Sequence, residues 1–192
     1  MVAIMVKNEK IKVMITDSIF TKQNLDVDKI ELIANKIISM YKKGGKLLIG
    51  GNGGSASDAQ HFSGELLARF KTERKSLPAI ALHTDTSTLT AWSNDYDFNS
   101  YYARLIDGFG ETKDIFFAIS TSGNSKNLIA ALKKCKEKGI YSIGLLGKDG
   151  GEMKVLCDMF IIVSSNDTPR IQESHILIIH IICQLIDDVI IS

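Results

Sequence analysis

A chain of 192 residues, 45% of them hydrophobic, can close one sizeable core without a second domain. Its 23 basic and 22 acidic side chains leave a net charge of +1, so no broad field draws it to nucleic acid or an anionic membrane, and any anion must be captured locally. Three scattered cysteines, Cys135, Cys157 and Cys183, have no CxxC spacing, which fits packing residues in a reducing cytoplasm rather than a disulfide framework.

Residues 1–23 carry the weakest pattern and are read as an N-terminal extension, with 24–192 as a single domain. The start, MVAIMVKNEKIKVMI, is broken by Lys7, Glu9, Lys10 and Lys12 before a signal-length apolar run forms, so export is not expected. Asp26 or Asp28 can cap a helix through KIELIANKIISMYKK, which Gly44 and Gly45 stop. KLLIG predicts a short buried strand, followed by a glycine-rich loop and a helix from about Ser55 to Phe70. AIALH predicts a second strand, and helical stretches follow around Thr86 to Trp92 and Phe98 to Phe109. DIFFAIS predicts a third strand, TSGNS a loop, and SKNLIAALKKCKEKG a helix ended by Gly139. YSIGLLG and FIIVSS are the last strands, with a short helix near Met153 between them. The closing helix begins at DTPR, where Thr168 can cap and Pro169 can take the first helical position. Its later part, ILIIHIICQLIDDVIIS, contains His180, Gln184, Asp187 and Asp188, and its apolar runs fall short of the roughly 20 residues a bilayer requires. A helix apolar on most faces predicts burial between helices or subunits.

Strands alternating with helices, each strand continuously apolar, predict an α/β fold: a three-layer α/β/α sandwich around a central parallel sheet, with long N- and C-terminal helices. Two loops, GNGGSAS and STSGNS, each leave the carboxyl end of a strand and enter a helix. Ligands of open parallel sheets bind there, because helix N-termini present free N–H groups and partial positive charge. Phosphate is the natural candidate. Ser120, Thr121, Ser122 and Ser125 add hydroxyl donors, and Gly123 lets the backbone curl around an anion. The local alternative is turn and cap chemistry, with Ser125 or Asn124 capping one helix and Ser55 with Asp58 forming a capping box on the other. Neither loop has Walker or GxGxxG spacing, so a nucleotide is not indicated.

His61 and Glu65 are four apart, about 40° around a helix, and share the face just behind the first loop. Such a pair can bind a metal, transfer protons or simply be solvated. In the last helix Gln172 and His180 lie about 80° apart around the axis, while His175 lies about 60° from Gln172 on the other side. Spacing alone does not choose between the two histidines.

The segments GNGGSASDAQHFSGEL, PAIALHTDTSTLTAWSNDYDF, ISTSGNSKNLIAALKKCKEKG, GLLGKDGG and RIQESHILIIHIICQLI, in this order from about Gly44 to Ile186, resemble the sedoheptulose 7-phosphate isomerases, or phosphoheptose isomerases, of the sugar isomerase (SIS) superfamily. The resemblance implies a flavodoxin-like SIS domain that converts sedoheptulose 7-phosphate to D-glycero-D-manno-heptose 7-phosphate through a cis-enediol. This is the first step toward heptose for lipopolysaccharide, capsule or another glycoconjugate. It implies that Asn52, Gly53, Gly54, Asn94 and Asp95 contact the sugar and that Ser120, Thr121, Ser122 and Ser125 hold its phosphate. It further implies one zinc per subunit on His61, Glu65, Gln172 and His180, with Glu65 and His180 as the acid/base pair and both Glu65 and Gln172 touching substrate. His175 belongs to the pattern without a catalytic role.

Four positions depart from the usual pattern: His83 stands where Thr is common, Trp92 and Ser93 replace smaller residues, and Asp97 replaces a glycine. The alternative within the superfamily is a non-catalytic module that binds a sugar phosphate or a replication-initiator protein. Such a module would keep the serine loop without needing Glu65 and His180. The expected enzyme is a cytoplasmic homotetramer with no nucleic-acid or membrane partner, its active sites built between subunits.

Overall fold

The computed structural model describes residues 8–190, so residues 1–7 of the N-terminal extension and the last two of the closing segment lie outside the described residues. Within the extension, Asn8–Gln23 forms a helix, α1. The second helix, α2 (Val27–Lys42), is capped by Asp26, whose side chain accepts from Lys29 N. The chain then alternates: β1 (Leu47–Gly51), α3 (Gly54–Leu67), β2 (Ala79–Ala81), α4 (Thr86–Asp95), a 3₁₀ turn (Phe98–Ser100), α5 (Tyr101–Phe109), β3 (Ile115–Ser120), α6 (Lys126–Lys138), β4 (Tyr141–Gly147), a second 3₁₀ turn (Glu152–Val155), β5 (Met159–Val163) and α7 (Thr168–Ile190).

All five strands are parallel, in the order β2-β1-β3-β4-β5. That is the doubly wound, flavodoxin-like order, and it reverses direction at β1 and β3, the two strands whose loops the sequence singles out. Alternation along a strand sorts side chains onto opposite faces. Leu47, Ile49, Ile115, Phe117 and Ile119 join one core with α2, α3 and α7, whereas Leu48, Phe116 and Ala118 join the other with α5 and α6. Being covered on both sides is why these strands read as continuous apolar runs.

Local boundaries differ from the sequence expectation where tertiary contacts act. α3 ends at Leu67, three residues early, and Ala68 N closes back on Gly64 O. α7 begins at Thr168 itself, and Ile171 N bonds Asp167 O, so Asp167 rather than Thr168 is the capping position. Pro169 remains harmless there, since the first amides of a helix have no intrahelical partner. No helix among the described residues is long and apolar enough to cross a membrane.

α7 buries Ile171, Ser174, His175, Ile178, Ile179, Ile182, Cys183 and Ile186 on one continuous stripe. α1 behaves oppositely. It is tied to α7 by polar contacts, with the Arg170 guanidinium donating to Met14 O and Ser18 donating to Glu173, while Ile11, Val13, Met14, Ile15, Ile19 and Phe20 are exposed.

Candidate active site

The first loop is fixed from below. The buried Tyr102 hydroxyl donates to the Gly51 carbonyl, and burial pushes this phenol up to about 12. Gly53 then takes φ +56°, a conformation L side chains rarely adopt, and α3 starts at Gly54. A Cβ on Gly54 would meet Gln172 Nε2 at 2.2 Å, so the glycine is what admits the amide of α7 over the first turn of α3. The Ser55/Asp58 capping box is not made: Gly53 is the N-cap, and no side chain bonds this helix end. Asp58 instead has a buried, unpartnered Oδ2, and burial raises its carboxyl to about 6 against the lowering influence of His61.

The serine loop organises itself. Ser120 Oγ accepts from Gly123 N at 3.1 Å and lies 3.1 Å from Ser125 Oγ, while Ser122 Oγ accepts from Asn124 N at 3.2 Å. Gly123 has φ +65°, and a Cβ there would lie 2.0 Å from Gly150 O, so the chain around Gly150 closes on the loop with no space for a side chain. Ser125 is the N-cap of α6 without making the cap bond. Its hydroxyl is turned into the loop, which weighs against the purely local reading.

One contact unexpected from sequence joins the loops. Asn52 and the buried Asn127 exchange amide hydrogen bonds, 2.9 Å each way, and Asn127 Oδ1 also accepts Leu128 N at 2.9 Å. Nothing in SKNLIAAL marks Asn127, since an Asn in a first helical turn is ordinary cap chemistry.

On α3 and α7 three side chains converge. His61 Nε2 lies 2.9 Å from Glu65 Oε1 and 3.3 Å from His180 Nε2, and the donor atoms of all three fall within 4.8 Å of one another. With both rings protonated on Nδ1, two Nε2 lone pairs and a carboxylate oxygen meet here, an arrangement that suits a cation. A nitrogen/oxygen set of this kind fits zinc. Gln172 stands about 12 Å of helix rise back along α7, beside Gly54. The other histidine has a different fate: His175 is fully buried, its Nε2–H donates to Leu146 O at 3.1 Å, and burial lowers its pKa to about 4.

Asn94 and Asp95 lie exposed at the end of α4, with Asn94 Nδ2 donating to Asp95 Oδ1 at 2.9 Å. Two of the departures from the usual pattern are coupled beside them. Trp92 Nε1 donates to Ser100 Oγ at 2.9 Å, and that hydroxyl lies 2.9 Å from Asp97 Oδ2.

A sequence profile described as the SIS domain matches residues 14–147. A phosphoheptose isomerase of Aneurinibacillus thermoaerophilus is 50% identical over 188 residues, covering 95% of each chain. Solved structures of phosphoheptose isomerases resemble this fold closely: that from Neisseria gonorrhoeae has a TM-score of 0.89 at 39% identity, over 94% of this chain and 98% of its own. That from Francisella tularensis has 0.88 at 36%, over 94% and 96%.

Proposed function

The chain belongs to the SIS domain family and, at half identity over nearly its whole length, to the phosphoheptose isomerases within it, and on that premise we propose how its residues divide the work. It is an aldose–ketose isomerase of heptose biosynthesis, acting on sedoheptulose 7-phosphate. The serine loop, with Ser120, Thr121, Ser122 and Ser125, holds the phosphate. Asn52, Gly53, Gly54 and Gln172 hold the sugar chain, joined by Asn94 and Asp95. The observation that carries the assignment is the convergence of Glu65 with His61 and His180 on the two helices that flank the first loop.

Glu65 removes a proton from C1 of the ketose. The electron pair moves into the C1–C2 bond, and the C2 oxygen gains a proton to complete the cis-enediol. His180 carries the proton between the two oxygens, O1 losing one as C2 is reprotonated and the aldehyde forms at C1. His61, Glu65 and His180 would hold one zinc ion per subunit, which when bound would polarise the carbonyl. Gln172, the fourth ligand the family implies, stands beside Gly54, too far back along α7 in this chain to join those three. Phosphate binding far from C1 positions the reacting end, so its energy can be used there.

The exposed apolar residues spread around α1 support assembly. Six large apolar side chains on one short helix are too many to leave in water, and a second copy of the same helix covers them symmetrically. We assign a homotetramer with sites between subunits, and light scattering at micromolar concentration giving a monomer would remove that assignment. A cytoplasmic location agrees with the three free cysteines.

Conversion of sedoheptulose 7-phosphate by purified protein, with and without a chelator, tests the function. Turnover that falls on chelation and returns with zinc is expected. Phosphate-sugar binding with no conversion under either condition would leave only a sugar-phosphate module.

A further inference from the structure

After α3 the chain turns back, and Arg74 enters the space between the end of that helix and α7. Its side chain is 3% exposed, and that of its partner Asp187 is 0% exposed. Arg74 Nε donates to Asp187 Oδ1 at 2.6 Å, one terminal nitrogen donates to Glu65 O at 2.8 Å, and the other donates to Leu66 O at 2.9 Å and Lys75 O at 3.2 Å. Asp187 Oδ2 accepts Lys71 N at 3.3 Å and Thr72 N at 3.4 Å.

The two carbonyls belong to the last turn of α3, which has no amides of its own to offer them. One is the backbone of Glu65 itself. Asp187 follows His180 by seven positions, about two turns, and so returns to nearly the same side of α7. One guanidinium therefore grips the backbone of the proposed base, and through Asp187 it holds the helix carrying His180.

We propose that Arg74 and Asp187 are positioning residues for the isomerisation: their buried pair pins the last turn of α3 to α7 at the register that brings Glu65 and His61 against His180. This rests on the reading that those three side chains carry the chemistry. A buried ion pair is a poor way to gain stability, because apolar residues of similar volume usually hold a fold as well or better. Its distinctive contribution is direction. A planar fork bonded on several sides fixes both rotation and sliding, which a pair of apolar side chains leaves free.

The test uses full-length Arg74→Lys and the double variant Arg74→Met with Asp187→Leu. Lysine keeps the charge but cannot bond Asp187 and both α3 carbonyls together. In Arg74→Lys, kcat should fall roughly 10- to 100-fold, the usual effect of losing a partner that orients ligands, while KM changes much less because the serine loop is untouched. Titration with cobalt(II), followed by its absorption, should show affinity weakened by a similar factor, independently of turnover. In the double variant, melting temperature should recover while kcat stays low. A wild-type kcat in folded Arg74→Lys would overturn the proposal, as would a double variant whose kcat recovers together with its stability. Should the double variant not fold, Arg74→Lys decides alone. A wild-type rate in Glu65→Gln would instead remove the underlying reading, leaving the cobalt titration to judge the pinning by itself.

Discussion

The serine loop at the carboxyl end of β3 and the face shared by α3 and α7 are built in opposite ways. The loop is satisfied by residues within a few positions of one another: Ser120 with Gly123 and Ser125, and Ser122 with Asn124. The face joins His61 to His180 across 119 positions and leaves polar groups unmet, the buried Asp58 Oδ2 among them. A preformed cradle suits an unreactive handle such as phosphate, which must be held alike before and during reaction. Groups that move protons must be held by tertiary packing, and they stay open to substrate: the His61 side chain is 45% exposed and that of Glu65 is 22%.

If that division is right, the largest effect belongs to Glu65. Glu65→Gln keeps size and a metal-capable oxygen but deletes the base, so kcat should fall by about 10²- to 10⁴-fold while phosphate binding largely persists. Metal content must be matched, since the charge change can itself loosen a cation. Wild-type turnover at matched zinc would break the comparison at its chemical end.

The loop should answer in the other parameter. Replacing Ser120, Ser122 and Ser125 together with Ala removes donors that act on substrate and transition state alike, so KM should rise by at least about tenfold with a smaller change in kcat. An unchanged KM would take the loop out of the phosphate site.

The same contrast explains what could be read in advance. The alternating strands, the sheet-end loops and the capping Asp26 are local patterns, and the structure repeats them to within a few residues. The convergence of His61 and Glu65 with His180 is not local. Spacing offered both His175 and His180, and only the docking of α7 decides between a core histidine bonded to Leu146 O and one facing His61. Family resemblance named His180, but no periodicity did. Asn127, Arg74 and Asp187 carried no signal at all, because their meaning lies in partners 75 or 113 positions away.

The rejected histidine yields the third prediction. Buried and neutral, His175 has its pKa lowered to about 4, whereas the unfolded chain binds a proton near 6.5. Below 6.5 the unfolded state therefore holds the extra proton, and stability falls as pH drops from 6.5 toward 4, by about 3 kcal/mol in all. Asp58, whose carboxyl is raised to about 6, works in the opposite direction over an overlapping range, so the raw profile mixes the two. The difference between wild type and His175→Gln, which can still donate to Leu146 O, isolates the histidine. Melting curves at pH 7 and pH 5 should show a smaller acid loss in the variant. Equal losses would mean that His175 is protonated in the fold, and that the two histidines of α7 differ less than their surroundings suggest.

The smallest effect should come from the contact that joins the two sheet-end loops. Asn127 Nδ2 donates to Asn52 Oδ1 and its Oδ1 accepts Asn52 Nδ2, so the first residue after β1 is held by the first turn of the helix behind the serine loop. Asn127→Ala leaves the Asn52 amide without its partner and frees the sugar loop to turn, yet removes no donor to phosphate and no group of the histidine face. A typical net hydrogen bond is worth about 0.5–1.5 kcal/mol, a factor of roughly 2 to 10. KM for the sugar phosphate should rise within that range, affinity for inorganic phosphate should stay nearly constant, and kcat should shift less than in Glu65→Gln. The split between the two ligands is the informative part: inorganic phosphate reports the serine loop alone, whereas the sugar phosphate spans both loops. If phosphate affinity fell as far as sugar-phosphate affinity, Asn127 would be holding up the serine loop itself, and the two loops would have to be treated as one unit rather than as a phosphate cradle and a sugar loop joined by a single amide pair.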